Sequence, residues 1–214
     1  AVTYNNLAQL YQEKGDLDKS EDYFLKGLVT LKTIYGENHQ EVAYSYNSLA
    51  QLYQEKGELH KSEEYFLKGL EIIKAVYGET HQEVASTYNL LAQLFKEKGD
   101  LDKSEEYFLK DLEISKGVYG ENHSKVAVTY NNLAQLYQEK GDLDRAEDFF
   151  LKDLVISKEV YGENHQEVAL TCKYLGELYQ SQAFSNFSKS EEFLKKSLKI
   201  YELIYGKVTQ NIAD

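Results

Sequence analysis

Apolar residues recur at steps of three and four along this chain, the spacing of one face of an α-helix. Within residues 43–84 they form two stripes, one of Ala43, Tyr46, Leu49, Ala50 and Tyr53 and one of Leu59, Phe66, Leu70, Ile73 and Tyr77. Gly57 and Gly78 follow the stripes and suit the left-handed residue just past a helix end. Neither stripe can be buried by one helix alone, so the pattern predicts a helical hairpin packed on its neighbours.

The same pattern returns with a fixed period. Residues 43–84 and 85–126 are identical at 29 of 42 positions. We predict repeats at residues 1–36 (partial), 37–78, 79–120, 121–162 and 163–206, and the start of a truncated sixth repeat at residues 207–214. Such periodicity predicts one all-α domain over residues 1–214, an α-solenoid of stacked antiparallel helix pairs.

The fifth repeat departs from the others at its turn. It has the sequence YQSQAFSNFSKSEE where its neighbour has YQEKGDLDRAED, so it lacks the turn glycine and carries a two-residue insertion. We predict that Phe184 and Phe187 reseat the longer turn. No polar capping helix closes either end, so we expect a fragment of a longer protein. End-to-end self-association through the uncapped terminal repeats is a hypothesis that follows.

Each predicted hairpin consists of a first and a second helix, and helix-start signals precede the first helix of each hairpin. Thr80, His81, Gln82 and Glu83 have the spacing of a capping box, with Thr80 as the predicted N-cap. Asparagine takes the place of this threonine at Asn38 and Asn164. An acid four residues before a lysine recurs on the second helices, as in Asp22–Lys26, Glu64–Lys68, Glu106–Lys110, Asp148–Lys152 and Glu192–Lys196. These pairs predict a solvated outer surface.

Composition narrows the class of protein. The net charge is −12 at pH 7, so we expect no binding to nucleic acid or to anionic membrane. No apolar run approaches the roughly 20 residues of a membrane helix, and no signal peptide is evident, which predicts a cytoplasmic location. Cys172 is the only cysteine. It stands where other repeats have a packed tyrosine, so we predict a buried, unreactive thiol and no disulfide.

Candidate chemistry gives no catalytic or metal site. A histidine recurs at one position of four repeats, at His39, His81, His123 and His165. Stacking would place these roughly 10 Å apart, whereas zinc ligands lie about 2 Å from the ion, so we predict a helix-start or turn role. Paired acids such as Glu63 and Glu64 lie on an exposed helix start, with no cleft to raise a pKa. We therefore predict a protein that is not an enzyme and needs no metal or cofactor.

The framework residues carry a family resemblance. The spacing of Leu7, Ala8, Tyr11, Gly15, Phe24 and Leu28 resembles the tetratricopeptide repeat, and the resemblance covers the whole chain. The 42-residue period, TYNNLAQLY and YGENHQEVA are similar to the repeats of kinesin light chain. The resemblance implies a right-handed superhelix whose concave groove binds partner peptides. The proline of the family's turn is replaced here by Gln40, Gln82, Ser124 and Gln166.

A polar stripe runs beside the core stripe of the first helices. An asparagine recurs at Asn5, Asn47, Asn89 and Asn131, and a glutamine four residues later at Gln9, Gln51, Gln93 and Gln135. In the family this face lines the groove, and amides can pair with the backbone of an extended peptide. The alternative is that these residues are only soluble surface.

Neighbouring positions on the same face vary between repeats. They include Tyr44, Ser48, Ser86, Leu90, Val128 and Asn132. This variation fits specificity pockets, and it equally fits neutral drift. With the amides, these residues form the predicted peptide-binding groove. We predict a protein–protein interaction scaffold that binds an extended or short helical peptide, as a kinesin-light-chain-like adaptor does. The alternative is a structural or regulatory arm of a larger signalling protein that acts by self-association.

Overall fold

The computed structural model describes residues 2–181 and 186–210, with side chains as far as residue 206. All regular structure within these residues is helical. The helices are α1 Val2–Glu13, α2 Leu17–Tyr35, α3 Gln40–Glu55, α4 Leu59–Tyr77, α5 Gln82–Glu97, α6 Leu101–Tyr119, α7 Ser124–Glu139, α8 Leu143–Tyr161, α9 Gln166–Gln180 and α10 Phe187–Gln210. The alternation of a shorter and a longer helix follows the predicted hairpins.

The chain divides into two compact units, Ala1–Ile114 and Ser115–Asp214. In the first unit α1 packs on α2, α2 on α3, α3 on α4 and α4 on α5. In the second unit α7 packs on α8, α8 on α9 and α9 on α10. Within each unit these helices therefore pack on their neighbours in sequence.

The buried residues are those that the periodicity predicts. Ala43, Leu49 and Ala50 on α3 are fully buried, and so are Phe66 and Ile73 on α4. Burying one large side chain such as that of Phe66 stabilises the fold by about 1.5–3 kcal/mol. Cys172 on α9 is also fully buried and free, as predicted.

Glycine ends the first helices in the predicted way. Gly57 has a φ of 75°, in the left-handed region that side chains disfavour. Its backbone N–H donates to the carbonyl of Gln54, and the N–H of Glu58 donates to that of Tyr53. This pairing satisfies carbonyls at the helix end as a Schellman motif does. The glycine at position 206 differs from Gly78, because α10 continues past it to Gln210.

The turn before α10 differs from the prediction. Phe187 begins α10 with 67% of its surface exposed, so it does not pack into the turn. Phe184 lies outside the described residues. Asn186 is the N-cap of α10, and its Oδ1 accepts a hydrogen bond from the backbone N–H of Lys189 at 3.1 Å.

Histidine, one residue after the predicted N-cap, caps the first helices. Nδ1 of His81 accepts from the backbone N–H of Glu83 at 3.2 Å, and His39, His123 and His165 do the same on α3, α7 and α9. The capping box predicted at Thr80 was therefore placed one residue too early. The helix-start role predicted for the histidines is confirmed.

Each capping histidine also stacks on a tyrosine at the end of the preceding helix. The rings of Tyr77 and His81 lie 4.3 Å apart at an interplanar angle of 10°. Tyr35 is 52% exposed and Tyr161 40% exposed. Tyr77, which the sequence pattern placed on the apolar stripe of its helix, is partly buried and packs against the core cluster as well as on His81.

Replacing His81 with alanine should remove the N-cap of α5 and lower the free energy of unfolding by about 1 kcal/mol. His81→Asn keeps a side-chain acceptor for the backbone N–H of Glu83 but loses the stack on Tyr77. Urea unfolding of both variants measures the difference. If the two lose equal stability, the stack and not the cap supports this turn.

Candidate functional site

In the first unit the predicted amide stripe is divided between surface and interior. Gln9, Gln51 and Gln93 are exposed, while Asn5, Asn47 and Asn89 are half-buried. The asparagines lie against the second helix of their own hairpin. A Cβ atom added at Gly27 would lie 2.8 Å from Oδ1 of Asn5, and one at Gly69 would lie 2.5 Å from Oδ1 of Asn47. The two glycines thus make room for the two amides.

The Oδ1 atoms of Asn5 and Asn47 are buried without a hydrogen-bond partner among the described residues. Nδ2 of Asn47 has only a long contact, 3.5 Å, to Oγ1 of Thr87. An unpaired buried acceptor is costly. These asparagines therefore act as packing residues with unused hydrogen-bonding capacity.

The third hairpin replaces this glycine with an acid. Nδ2 of Asn89 donates to Oδ2 of Asp111 at 2.9 Å, and Nε2 of Gln93 donates to Oδ1 of Asn89 at 2.6 Å. Asp111 is 4% exposed. In this hairpin Asn89 is bound both to Gln93 and to the acid of the second helix, whereas Gln93 is itself exposed.

The variable positions of the first unit have mixed exposure. Ser86 is exposed, and Tyr44, Ser48 and Leu90 are half-buried. The hydroxyl of Ser48 donates to the carbonyl of Tyr44 at 3.1 Å within its own helix. Burial raises the pKa of Tyr44 above its ordinary value.

In the second unit the same amides lead to a buried carboxylate. Nε2 of Gln135 donates to Oδ1 of Asn131 at 2.5 Å, and Nδ2 of Asn131 donates to Oδ2 of Asp153 at 2.8 Å. Two hydroxyls complete the arrangement: Thr171 donates to Oδ2 of Asp153 at 2.7 Å, and Ser157 donates to its Oδ1 at 2.8 Å. Three helices of this unit, α7, α8 and α9, thus meet at one acid.

A pocket of about 100 Å³ opens beside this acid. It is lined by Ser124, Ala127, Val128, Asn131, Asn132, Asp153, Ser157, Tyr161, Glu167 and Leu170. Three of the predicted groove residues, Val128, Asn131 and Asn132, are among these side chains. We call this cavity the Asp153 pocket.

Asp153 is held in unusual electrostatic surroundings. It is 4% exposed, and burial raises the pKa of its carboxyl above the ordinary value, opposed by the hydrogen bonds from Thr171, Asn131 and Ser157. All three donors are neutral, and among the described residues no lysine or arginine forms an ion pair with it. The negative charge is therefore only partly compensated, and burial of such a charge is costly.

Replacing Asp153 with asparagine should change how stability depends on pH. Because the pKa of Asp153 is raised in the folded state, the wild-type chain gains stability as pH falls from that raised pKa to the ordinary carboxyl value. The variant has no carboxyl at this position to take up a proton. Its free energy of unfolding should therefore exceed that of the wild-type chain most at neutral pH, and the difference should shrink as the pH falls from the raised pKa to the ordinary carboxyl value. Urea unfolding at several pH values measures it, and an equal trend in Asp148→Asn, an exposed acid of the same helix, would contradict the prediction.

The described part of the chain shows neither a metal-binding cluster nor a membrane-spanning helix. No group of three or more His, Cys, Asp or Glu side chains there is placed to hold a metal ion. No helix within residues 2–181 and 186–210 combines the length and the apolar character that crossing a membrane requires. Burial raises the pKa of the Cys172 thiol, which makes the thiolate less available.

Sequence reasoning did not identify Asp153, Ser157 or Thr171 as part of the site. The signal was present: the position of Gly27 and Gly69 becomes Asp111 and Asp153 in the third and fourth hairpins. An acid that replaces a small packing residue on a helix is a candidate buried charge. Its partner, Asn131, is 22 residues away in sequence, so the pair emerges only when the hairpin is closed.

Comparisons with a family model and with solved structures place this architecture among known proteins. A family model for the tetratricopeptide repeat matches residues 1–75, 45–110, 83–154 and 126–203. The comparison with curated proteins gives no match. Among solved structures, BtubC (BKLC) from P. vanneervenii superposes with a TM-score of 0.84 at 28% identity, covering 94% of this chain and 79% of that one.

Two further structures are similar in fold. A candidate kinesin light chain of Podosopora anserina with nearly identical TPR-like repeats has a TM-score of 0.79 at 18% identity, covering 94% of this chain and 95% of that one. The apo form of RapI has a TM-score of 0.79 at 18% identity, covering 96% and 72%. At such identities the similarity shows the fold alone. The all-α solenoid class and the resemblance to kinesin-light-chain-like repeats are thereby confirmed.

The family model matches nearly the whole chain, and the helix pairs, turn glycines and buried stripes have the arrangement that its spacing predicts. This protein belongs to the tetratricopeptide repeat family.

Proposed function

We propose that this chain is a non-catalytic scaffold whose first helices bind an extended or short helical segment of a partner protein. The family membership supports protein binding in general. The specific support is the Asp153 pocket, because it opens on the face that the amide stripe predicted and mixes apolar walls with a few polar groups, as ligand sites do.

Apolar residues of α7 and α9 that line the pocket support a peptide as the ligand. Val128 is 49% exposed, and Leu170 on the next first helix is half-buried beside it in the same pocket. Asn132 lines the same pocket. An extended segment could place an apolar residue on Val128 and Leu170 and pair its backbone with the neighbouring amide.

The geometry changes the role of the asparagines in this proposal. Asn89 and Asn131 are bound to Asp111 and Asp153, so they position the face instead of offering free amides. The exposed glutamines, such as Gln51, remain candidates for direct contact. Replacing asparagine by alanine therefore disturbs the scaffold, and a cleaner test changes an exposed residue.

The test uses an array of short peptides of varied sequence with blocked termini, probed with the labelled chain. Val128→Arg places a long charged side chain over the proposed binding face and should weaken capture of the bound peptides by about tenfold or more. Val155→Arg is the matched control, since Val155 is 57% exposed on the second helix α8. Equal capture by the two variants, or no capture by the wild-type chain, would overturn the proposal.

A second candidate function is assembly through exposed apolar side chains. On α10, Leu198 is 59% exposed and Leu203 is 39% exposed. We infer that such a surface could stack on a second copy, as the regulatory-arm alternative requires. Light scattering at rising concentration tests this: a mass that grows with concentration and is held at monomer by Leu198→Glu supports assembly, and a constant monomer mass excludes it.

A further inference from the structure

We propose that the Asp153 pocket receives a cationic side chain, a lysine or an arginine, from the bound peptide. The inference deepens the proposed function and rests on it. It names the chemistry of one residue of the partner and the side chains of this protein that would hold it.

The first observation is the unsatisfied capacity of the carboxylate. A carboxylate offers about four lone-pair positions to hydrogen-bond donors. Asn131, Thr171 and Ser157 occupy three, at 2.7–2.8 Å. Asp153 also lines the pocket. By this count the three donors leave one acceptor position of the carboxylate, and a donor bound in the pocket would lie beside the acid.

The second observation is the charge of the walls. Asp153 and Glu167 both line the pocket, and its ten lining residues include no lysine or arginine. The hydrogen-bond donors of the buried carboxylate are all neutral, so a cation that reaches it would meet a charge that the protein itself compensates only in part. A charge-assisted hydrogen bond of this kind is stronger than one between neutral groups.

The third observation is the shape of the apolar part. Val128, Leu170 and Ala127 line the pocket together with the acid, and Tyr161 adds an aromatic ring to the lining. A lysine or arginine has an aliphatic stem that packs on apolar surface while its charged head reaches further. An anionic side chain would be repelled by the acid and a purely apolar one would leave it unpaired, so the apolar lining and the acid together favour a cationic side chain.

The competing explanation is that Asp153 only joins three helices. Asp153→Asn separates the two roles. The asparagine Oδ1 can still accept from Asn131 and Thr171, and its Nδ2 can donate to the hydroxyl of Ser157, which reverses its direction. The helices stay joined while the negative charge is lost, and circular dichroism checks that the variant is folded.

The experiment starts from peptides that the wild-type chain captures on the array, at a salt concentration that screens diffuse attraction to the net charge of −12. We expect lysine or arginine to be enriched at one position of these peptides. Replacing that residue with norleucine, which keeps the stem and removes the charge, should weaken binding to the wild-type chain by about tenfold or more in calorimetry.

The variants decide the outcome. Asp153→Asn should bind the lysine and norleucine peptides equally, whereas Asp148→Asn, which removes the same charge from the exposed face of α8, should behave as the wild-type chain does. If the captured peptides lack such an enrichment, or if Asp153→Asn keeps the preference, the cation pocket is wrong and peptide binding stands. If the wild-type chain captures no peptide, the proposed function itself fails.

Discussion

Replacing Ser20, Ser62 and Ser104 together with alanine is expected to raise the free energy of unfolding by about 3 kcal/mol. All three serines are fully buried on second helices, and their Oγ atoms have no hydrogen-bond partner among the described residues. A buried hydroxyl without a partner costs about 1–3 kcal/mol, and alanine is also the better helix former. The three serines lie in separate hairpins, so their effects should nearly add.

The chain contains its own controls for this prediction. The fourth hairpin already has alanine at this position, and Ala146 is fully buried there. In the fifth hairpin Ser190 is buried but donates to the carbonyl of Gly176 at 2.8 Å. Ser190→Ala should therefore lower the free energy of unfolding by about 1 kcal/mol. Urea unfolding of each variant gives the comparison, and a triple variant no more stable than the wild-type chain would contradict the account of the unpaired hydroxyls.

Replacing Phe66 with alanine is expected to lower the free energy of unfolding by about 3–5 kcal/mol. Phe66 on α4 is fully buried in the core of the first unit. Removing the ring loses its transfer free energy and leaves a cavity that the neighbouring helices fill only in part. The loss exceeds that of any single cap or surface pair, because it removes the apolar contacts on which the hairpin depends.

Leu67 provides the matched control, since it is adjacent in sequence but 40% exposed. Leu67→Ala should cost less than about 1 kcal/mol, because its side chain already meets water. Hydrogen exchange should show faster opening of α3, α4 and α5 in Phe66→Ala and not in Leu67→Ala. Similar losses in the two variants would mean that burial does not determine the stability of this unit.

The framework could be predicted from sequence because it depends on period alone. Leu49 on α3 and Phe66 on α4 each lie on the apolar face of their own helix, so packing of the hairpin buries both. Gly57 ends a helix by its own backbone preference. The cap of α5 was harder, because Thr80 and His81 can each accept a hydrogen bond, and the distance to the N–H of Glu83 decides between them.

The candidate site was only partly predictable. The face was identified from the repeated amides, and Val128, Asn131 and Asn132 do line a pocket in the second unit. Whether the asparagines were free could not be inferred, since their partners come from the second helix. Asn47 and Asn131 occupy the same position of their repeats. Asn47 lies against a glycine of the second helix, whereas Asn131 donates to a buried acid there.

By itself, the sequence determined the helices, their pairing, the buried stripes and the family, since these follow from local spacing and from a period repeated along the chain. The tertiary structure alone decided which polar side chains meet. Asn131, Asp153 and Thr171 lie on three different helices, and their hydrogen bonds exist only because packing brings those helices within a side chain's reach. The physical reason is that periodicity determines which face of a helix is buried. How far a buried charge is compensated depends instead on the distances between side chains of different helices.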